Sequence, residues 1–490
     1  MPVPHLMVKF PLLFLAVLLS CSYLKGQYSV INSSIGVGAN IVSPDHVPFW
    51  LRSNQFGNIP PPGNSVSFYG SFHKDYDTIE NPLIDWGGSL EVRANIGNQV
   101  QGIQGNIIEG YLKMAISVFQ IKAGRDKQVM GLMDTTLSSG SFAMSGNALG
   151  IPKVEISVPQ YYTIPIFDEL FAVKGTFSLG WMGAVPIQYQ YIGYLNTYLH
   201  QASFYGRFGK PDWQLHLYGG FNHQVQYGNE DKVWGKQYDL NGWQTFIRVI
   251  TGKTWNYSKI GNQIGSIDLG LQYDFNTVSL FIYRQNFYDE GALVHLANIA
   301  DGLNGISFTN TGDKNGFIHW NKFLIEFFYS ANQAGYPWSK PTKSGDENYY
   351  NNYEYADGYS YKGAAIGSPL ISSKYDTRPF PNSKFDYFNN NRVSALHVGL
   401  DATIQDFHII TKATYSKNYG TFSTSPYGSS TGTIRDKPVG SFPESNQFSC
   451  YLQIEKPLSD SYSLNISMAL DHGLLLYNTS GISFQIMKSF

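Results

Sequence analysis

A tyrosine-rich polar stretch carries the most suggestive chemistry in the chain. It runs Gly345-Asp346-Glu347-Asn348-Tyr349-Tyr350-Asn351-Asn352-Tyr353, then Gly358-Tyr359-Ser360-Tyr361-Lys362-Gly363, then Ile366-Gly367-Ser368-Pro369-Leu370. Sugars present apolar C–H faces ringed by hydroxyls. Aromatic rings stack on such faces, and Asn, Asp and Glu exchange hydrogen bonds with the hydroxyls. Tyr349, Tyr350, Asn351, Asn352 and Tyr353 therefore form a candidate glycan-binding set. The same composition suits a structural loop whose tyrosines pack on the rim of a larger fold or plug its mouth.

Catalytic and metal chemistry leave weaker traces. The chain has no Gly-x-Gly-x-x-Gly, no phosphate loop and no His-Glu-x-x-His. The acidic pairs Asp168-Glu169, Asp289-Glu290 and Asp346-Glu347 suggest glycosidase carboxylates. Neighbours on a strand point to opposite faces, so adjacency does not make a working pair; solvated loop charges account for them. The 11 His are scattered, and two Cys cannot build a disulfide framework or a zinc cluster. No catalytic residue, metal site or cofactor is assigned. A surface hydrolase stays open, because a Ser/His triad needs no local spacing.

Positioning the tyrosine stretch falls to β-structure. Only 14% of the 490 residues are charged and the net charge is −2, which excludes a basic nucleic-acid footprint. Aromatics make up 16%, with 35 Tyr and 32 Phe, too many for a disordered chain. A mean hydropathy of −0.21 argues against a bundle of membrane helices. In Gln214–Tyr227, Leu215, Leu217, Phe221, Val225 and Tyr227 share one face, with Gln214, His216, Tyr218, Asn222, Gln224 and Gln226 on the other. That is the period of a strand. Leu90–Gly97, Phe407–Tyr419, Phe448–Glu455 and Ser463–Asp471 alternate similarly.

Core inside with water outside gives this pattern, and so does lipid outside with a wet lumen. Membrane strands need about 9–11 residues, whereas sandwich strands centre on about 5–6. The runs fit a transmembrane antiparallel β-barrel, with a soluble exported β-protein as the alternative. At roughly 25 residues per strand and turn, about 18 strands are expected. Short helices are expected in Asn40–Gly63, placed near the periplasmic end with Ser43-Pro44 as its start, and in Glu290–Leu303. Ser339–Asn391 is the longest polar stretch, and long barrel loops lie outside the cell.

The two ends of the sequence address the compartment. Met1–Gly26 reads as an export signal, with Lys9 before the apolar run Phe10–Leu19 and Gly26 suited to signal peptidase. The run is too short to span a bilayer as a helix. Leu18-Leu19-Ser20-Cys21 resembles a lipobox, in which Cys21 would be acylated. Residues 27–490 would then form one barrel domain in the outer membrane of a Gram-negative cell, surrounded by its lipid. Ile482, Phe484, Ile486 and Phe490 share a face interrupted by Lys488. Such a strand resembles the signal read by the outer-membrane assembly machinery, an expected partner.

The motifs also follow a familiar order. Gly345–Asn352 followed by Ile366–Leu370 resembles the Wzi family of capsule assembly proteins, in the form carried by Bacteroidetes-type bacteria. Phe49-Trp50-Leu51 with Asn54-Gln55-Phe56-Gly57 is similar to the family's N-terminal segment. Ser145–Lys153, Lys174-Gly175 and Gly180-Trp181 are similar to its central block. Glu326–Tyr329, Asn332–Gly335, Asn390–Val393 and Tyr415–Gly420 continue the match. The resemblance implies a barrel that binds capsular or other surface polysaccharide and holds it on the cell. Loops and a periplasmic helical plug would block the lumen, making a lectin rather than a pore. A channel or porin for small solutes shares the fold and is the alternative.

The C-terminal strand generates a first prediction. Deleting Phe490 or replacing it with Asp should lower the outer-membrane level of the protein, measured by immunoblot of isolated membranes. Unchanged abundance would remove this strand's role as an assembly signal.

Overall fold

Alternating side chains commit the chain to strands, and the strands close on themselves. The computed structural model describes residues 31–43, 46–77, 82–99, 101–189, 192–256, 259–289, 291–312, 316–335, 347–425 and 440–490. The expected export signal and Cys21 lie outside them. The strands are β1 (Ile31–Val42), β2 (Asn64–Lys74), β3 (Ile84–Gly97), β4 (Gln104–Ile116), β5 (Phe119–Arg125), β6 (Lys153–Thr163), β7 (Phe171–Ile187), β8 (Gly193–Phe208) and β9 (Leu215–Tyr227). Next come β10 (Asn262–Asp274), β11 (Val278–Tyr288), β12 (Gly302–Asn310) and β13 (Ile318–Tyr329). Two short hairpins follow, β14 (Ser360–Tyr361) with β15 (Ala364–Ala365) and β16 (Ser372–Ser373) with β17 (Phe388–Asn390). The chain ends on β18 (Val393–Ile404), β19 (Phe407–Asn418), β20 (Ser445–Ser459), β21 (Tyr462–Gly473) and β22 (Thr479–Ser489).

All except the two hairpins belong to one 18-stranded antiparallel sheet. β13 pairs with β18, and β1 pairs with β22 from Ser34↔Ser489 to Val42↔Gly481, which closes the ring. A closed ring leaves no unpaired edge, the condition for β-structure to cross lipid. Among the described residues no helix is long and apolar enough to cross a membrane.

The pleat sorts the wall into two faces. On β20, Ser445, Gln447, Ser449 and Tyr451 are buried in the lumen, while Phe448 is exposed outside and Cys450 and Leu452 share its row. On β9, Leu215, Leu217 and Phe221 are exposed as expected, but Val225 and Tyr227 of the same row are buried. The cause is a helix, Gly242–Thr251, which leans on the outside of the wall. Val225 and Tyr227 cluster with Val249 and Ile260, with Phe246 and Trp255 at the margin. Asn241 starts this helix through a reciprocal box, accepting the Gln244 N–H at 2.9 Å while Gln244 Oε1 accepts the Asn241 N–H at 3.0 Å. Gly252 ends it at φ 65°, where a glycine carries no steric penalty.

The two rims differ. β1 begins beside the end of β22, so both ends of the ring's chain share one rim, where connections such as 117–118, 275–277, 405–406 and 460–461 are short. The opposite rim carries the long ones, including 43–63, 126–152, 228–261, 330–392 and 419–444. This loop rim corrects one expectation. The segment Asn40–Gly63 emerges here and not at the rim of the termini. Its helix is Phe49–Arg52 with Pro48 at the N-cap, and the Ser43 hydroxyl instead donates to His46 O at 3.1 Å. Among the described residues of Glu290–Leu303 the expected helix is the 3₁₀ turn Ala292–His295, and Gly302 and Leu303 already belong to β12.

The outward row of β20 predicts the chemistry of Cys450. On intact cells a membrane-impermeant maleimide should leave it unlabelled, and a lipid-soluble maleimide should react. Strong labelling by the impermeant reagent would turn this face of the wall toward water.

Candidate functional site: the loop-filled mouth

A wide lumen lined by polar rows must be filled or flooded, and here the loops fill it. The segment 126–152 dips inward from the loop rim, burying Leu132, Met133, Leu137, Phe142 and Ala143. Wall side chains take up its polar groups. Glu326 on β13 accepts the Ser138 hydroxyl at 2.6 Å and the Ser139 N–H and hydroxyl at 2.7 Å each, and it also accepts the Tyr283 hydroxyl. Asp268 on β10 accepts the Leu132 N–H and the Tyr205 hydroxyl, both at 2.9 Å. Lys322 pairs with Asp134 at 2.8 Å, and His397 bonds Leu137 O at 2.7 Å.

The tyrosine stretch closes the mouth above this segment. Tyr349 and Tyr350 have no exposed surface. The Tyr349 hydroxyl donates to Asp301 at 2.7 Å, and its ring meets Phe142 edge-on at 5.1 Å. The Tyr350 hydroxyl donates to Phe142 O and accepts the Ser368 N–H at 2.7 Å. Asn351 pairs with the Phe388 backbone, donating to its O and accepting its N–H, both at 2.9 Å. The side chain of Asn352 caps a turn by accepting the Glu354 N–H at 2.9 Å. Tyr353 stands edge-on to Tyr189 at 5.9 Å. Gly367 leaves no room for a side chain, since a Cβ would overlap Phe142 O and the Tyr350 hydroxyl.

The five candidates therefore do come together, but mainly as packing. Tyr349, Tyr350 and Asn351 turn inward, where no sugar face can reach them in this arrangement; Asn352 and Tyr353 keep partial exposure. The physical reason is area: burying one large ring contributes about 1.5–3 kcal/mol, and each hydroxyl finds a partner. Of the acids expected to be solvated, Asp168 and Glu169 are exposed, whereas Asp289 and Glu347 turn inward. Glu347 is buried and accepts the Asp289 N–H at 3.2 Å and the Ala292 N–H at 2.8 Å, while Asp289 accepts the Tyr350 N–H at 3.0 Å. Asp346, Glu290 and Gly345 lie outside the described residues.

Sequence reading missed the segment 126–152 as a plug and the helix Gly242–Thr251. The box Asn241-x-x-Gln244 was the available signal for the helix. The plug, rich in Ser, Gly and Met, has no periodicity to read. The sequence also holds one Gly-x-Ser-x-Gly pattern, Gly428-Ser429-Ser430-Thr431-Gly432. It lies outside the described residues and follows Pro426-Tyr427, not the alternating run a nucleophile elbow needs. Among the described residues no group of three or more His, Cys, Asp or Glu is arranged to hold a metal.

Several mouth carboxyls are shifted by burial. It pushes Asp301 up to about 7, despite hydrogen bonds from Tyr349, Gln333 and Asn332. Burial and then the neighbouring Glu230 push Glu354 up to about 8. A carboxyl raised in the fold contributes stability that is full below its unfolded value and lost as pH rises through its folded value. The window therefore runs from about pH 4 to about pH 8. In Asp126 and Asp134 burial is outweighed, by Lys153 and Lys122 and by Lys322 respectively, which holds both below the usual range. They act only at lower pH. Mouth loops on intact cells should resist protease better at pH 5.5 than at pH 8.5. Equal or reversed protection would show that these carboxyls do not couple to loop closure.

A model of the family "Capsule assembly protein Wzi" matches residues 64–377, well over half of the chain. No curated protein matches the sequence. Among solved structures the chain is similar to Wzi of Escherichia coli, described as an outer-membrane protein involved in group 1 capsule assembly and a carbohydrate-binding β-barrel. Identity is 14% and the TM-score 0.55, covering 93% of this chain and 83% of that one. It is also similar to OprD of Pseudomonas aeruginosa, at 9% identity and TM-score 0.43 over 94% of this chain and 95% of that one. OccK11 (OpdR) of the same organism gives 8%, 0.43, 94% and 96%. The first likeness establishes the fold, an outer-membrane β-barrel of the Gram-negative type. The plug differs from the periplasmic helical one that the sequence resemblance implied, since it is built from loop-rim connections. With its motifs, its 18-stranded ring and the family match in agreement, the chain belongs to the Wzi family of capsule assembly proteins.

Proposed function

We propose that this barrel holds capsular or other surface polysaccharide on the cell as a binding protein without catalysis. The observation that carries this reading is the filled mouth. A channel needs a continuous wet lumen, whereas here Glu326, Asp268, Lys322 and His397 bind the plug to the wall below a lid of buried tyrosines. Long barrel loops face the cell exterior, which puts the loop rim where polysaccharide lies. A long polymer with repeated units is retained by many weak contacts, each new one being intramolecular. Asn352 and Tyr353, the partly exposed members of the sequence candidates, offer an amide and a ring for such contacts. Membrane lipid around the wall and assembly through the strand ending at Phe490 complete the reading.

Cells lacking the protein should shed polysaccharide into the medium, and restoring it should return the polymer to the cell pellet. Purified protein should show no steady conductance in planar bilayers. Glu326→Ala strands the Ser138, Ser139 and Tyr283 donors, a loss of about 3–5 kcal/mol by analogy with broken buried charge networks. It should introduce channel openings absent from the wild type. Steady wild-type conductance with unchanged cell-bound polysaccharide would favour the porin reading.

A further inference from the structure

Between the β1–β2, β14–β15 and β21–β22 connections the loop rim opens into a recess of about 250 Å³. Its walls come from segments distant in sequence, with Arg52, Tyr375, Asp376, Asp471 and Tyr477 among the lining residues. Tyr375 is 71% exposed, so its ring is largely uncovered. Tyr477 is fixed by the His46 ring stacked at 3.8 Å and 8°. Arg52 and Asp376 form a half-open pair at 2.7 Å, and the second oxygen of Asp376 accepts the Ser373 hydroxyl at 2.7 Å.

Asp471 is the telling group. One carboxyl oxygen accepts the Phe49 N–H at 2.7 Å. The Ser449 hydroxyl of the facing strand also approaches this carboxyl, but the other oxygen is buried with no partner in good hydrogen-bond geometry, on a residue only 4% exposed. A buried acceptor left unpaired is costly, so Asp471 favours a ligand that brings a donor. The cation near it is already matched, since Arg52 is paired with Asp376 and also faces Asp471. The lining sets two acids, Asp376 and Asp471, against two cations, Arg52 and Lys362, so the recess offers no surplus positive charge to a carboxylate ligand. A hydroxyl ligand would donate to Asp471 and Asp376 and accept from Arg52, while an apolar C–H face lay on Tyr375.

We propose that this recess is a subsite for an uncharged pyranose unit of the surface polysaccharide, gripped by adjacent hydroxyls on the Asp471–Arg52–Asp376 side and stacked on Tyr375. The assignment rests on the reading of the protein as a polysaccharide binder. It goes further in placing the contact away from the tyrosine lid and in naming the sugar class.

The test uses the full-length barrel purified in detergent and short fragments of the polysaccharide extracted from the same cells, so that avidity does not mask a single site. Fragments are used as extracted and after carbodiimide–borohydride reduction of any uronic acids to neutral sugars. Calorimetry should show wild type binding both preparations alike. Tyr375→Ala and Asp376→Asn should each weaken binding about threefold to tenfold, the range expected for one stacked ring or hydrogen bond, and Tyr375→Phe should retain it. Heat-modifiable migration on gels identifies folded variants. Folded Tyr375→Ala and Asp376→Asn that bind as wild type would overturn the site. Loss of wild-type binding on reduction would overturn the neutral-sugar assignment. Wild type that binds neither preparation would instead refute the polysaccharide reading, and the subsite with it.

Discussion

A ring of 18 strands encloses more space than its own inward side chains can fill, and that geometric surplus governs the rest of the structure. Two outcomes are open to such a ring: a water-filled lumen, or a lumen occupied by chain. This protein takes the second, and the choice explains why its wall carries acids and amides at positions that face no water. Glu326 has no exposed surface, yet four protein donors surround it. Those donors are supplied by Ser138, Ser139 and Tyr283, so wall and plug are complementary and neither is satisfied alone.

The mouth extends the same logic upward. Phe142 stacks on Phe287 of the wall at 4.2 Å and touches both Tyr349 and Tyr350 of the lid. One ring thus joins three layers, and the Tyr350 hydroxyl bridges Phe142 O and Ser368 N. A seal of this kind has consequences for binding. With the centre of the mouth used up by its own packing, surface for a ligand is left at the periphery, where loops from different parts of the ring meet.

The wall was legible because its physics is local. A strand between lipid and lumen alternates with period 2, and the runs at Phe407–Tyr419 and Phe448–Glu455 fall within or one residue beyond β19 and β20. Even Val225 and Tyr227 lie on the expected row; what the alternation could not show was a helix covering them. The lid was legible only in composition. Tyrosine beside asparagine suits a sugar and suits a packed seal, and residue types alone do not choose between them. The plug was not legible, because Ser138 and Ser139 acquire meaning only through Glu326, far along the chain. The recess was equally hidden, since Arg52, Asp376 and Asp471 come from three separate segments.

The tethering of the tyrosine lid has a mechanical side. The segment 330–392 is tied at one end to β13 and at the other to β18, which pair with each other along most of their length, from Ile318↔Ile404 to Tyr329↔Ser394. An outward tug on the lid, such as drag on a bound polymer, runs along these two strands. Inter-strand hydrogen bonds lie across the strand direction, so the tug loads those that join this pair to β12 and β19 together in shear and cannot peel them one by one. The neighbouring strands share that load around a ring with no free edge. The architecture is that of a rivet, in which the head is part of the shank.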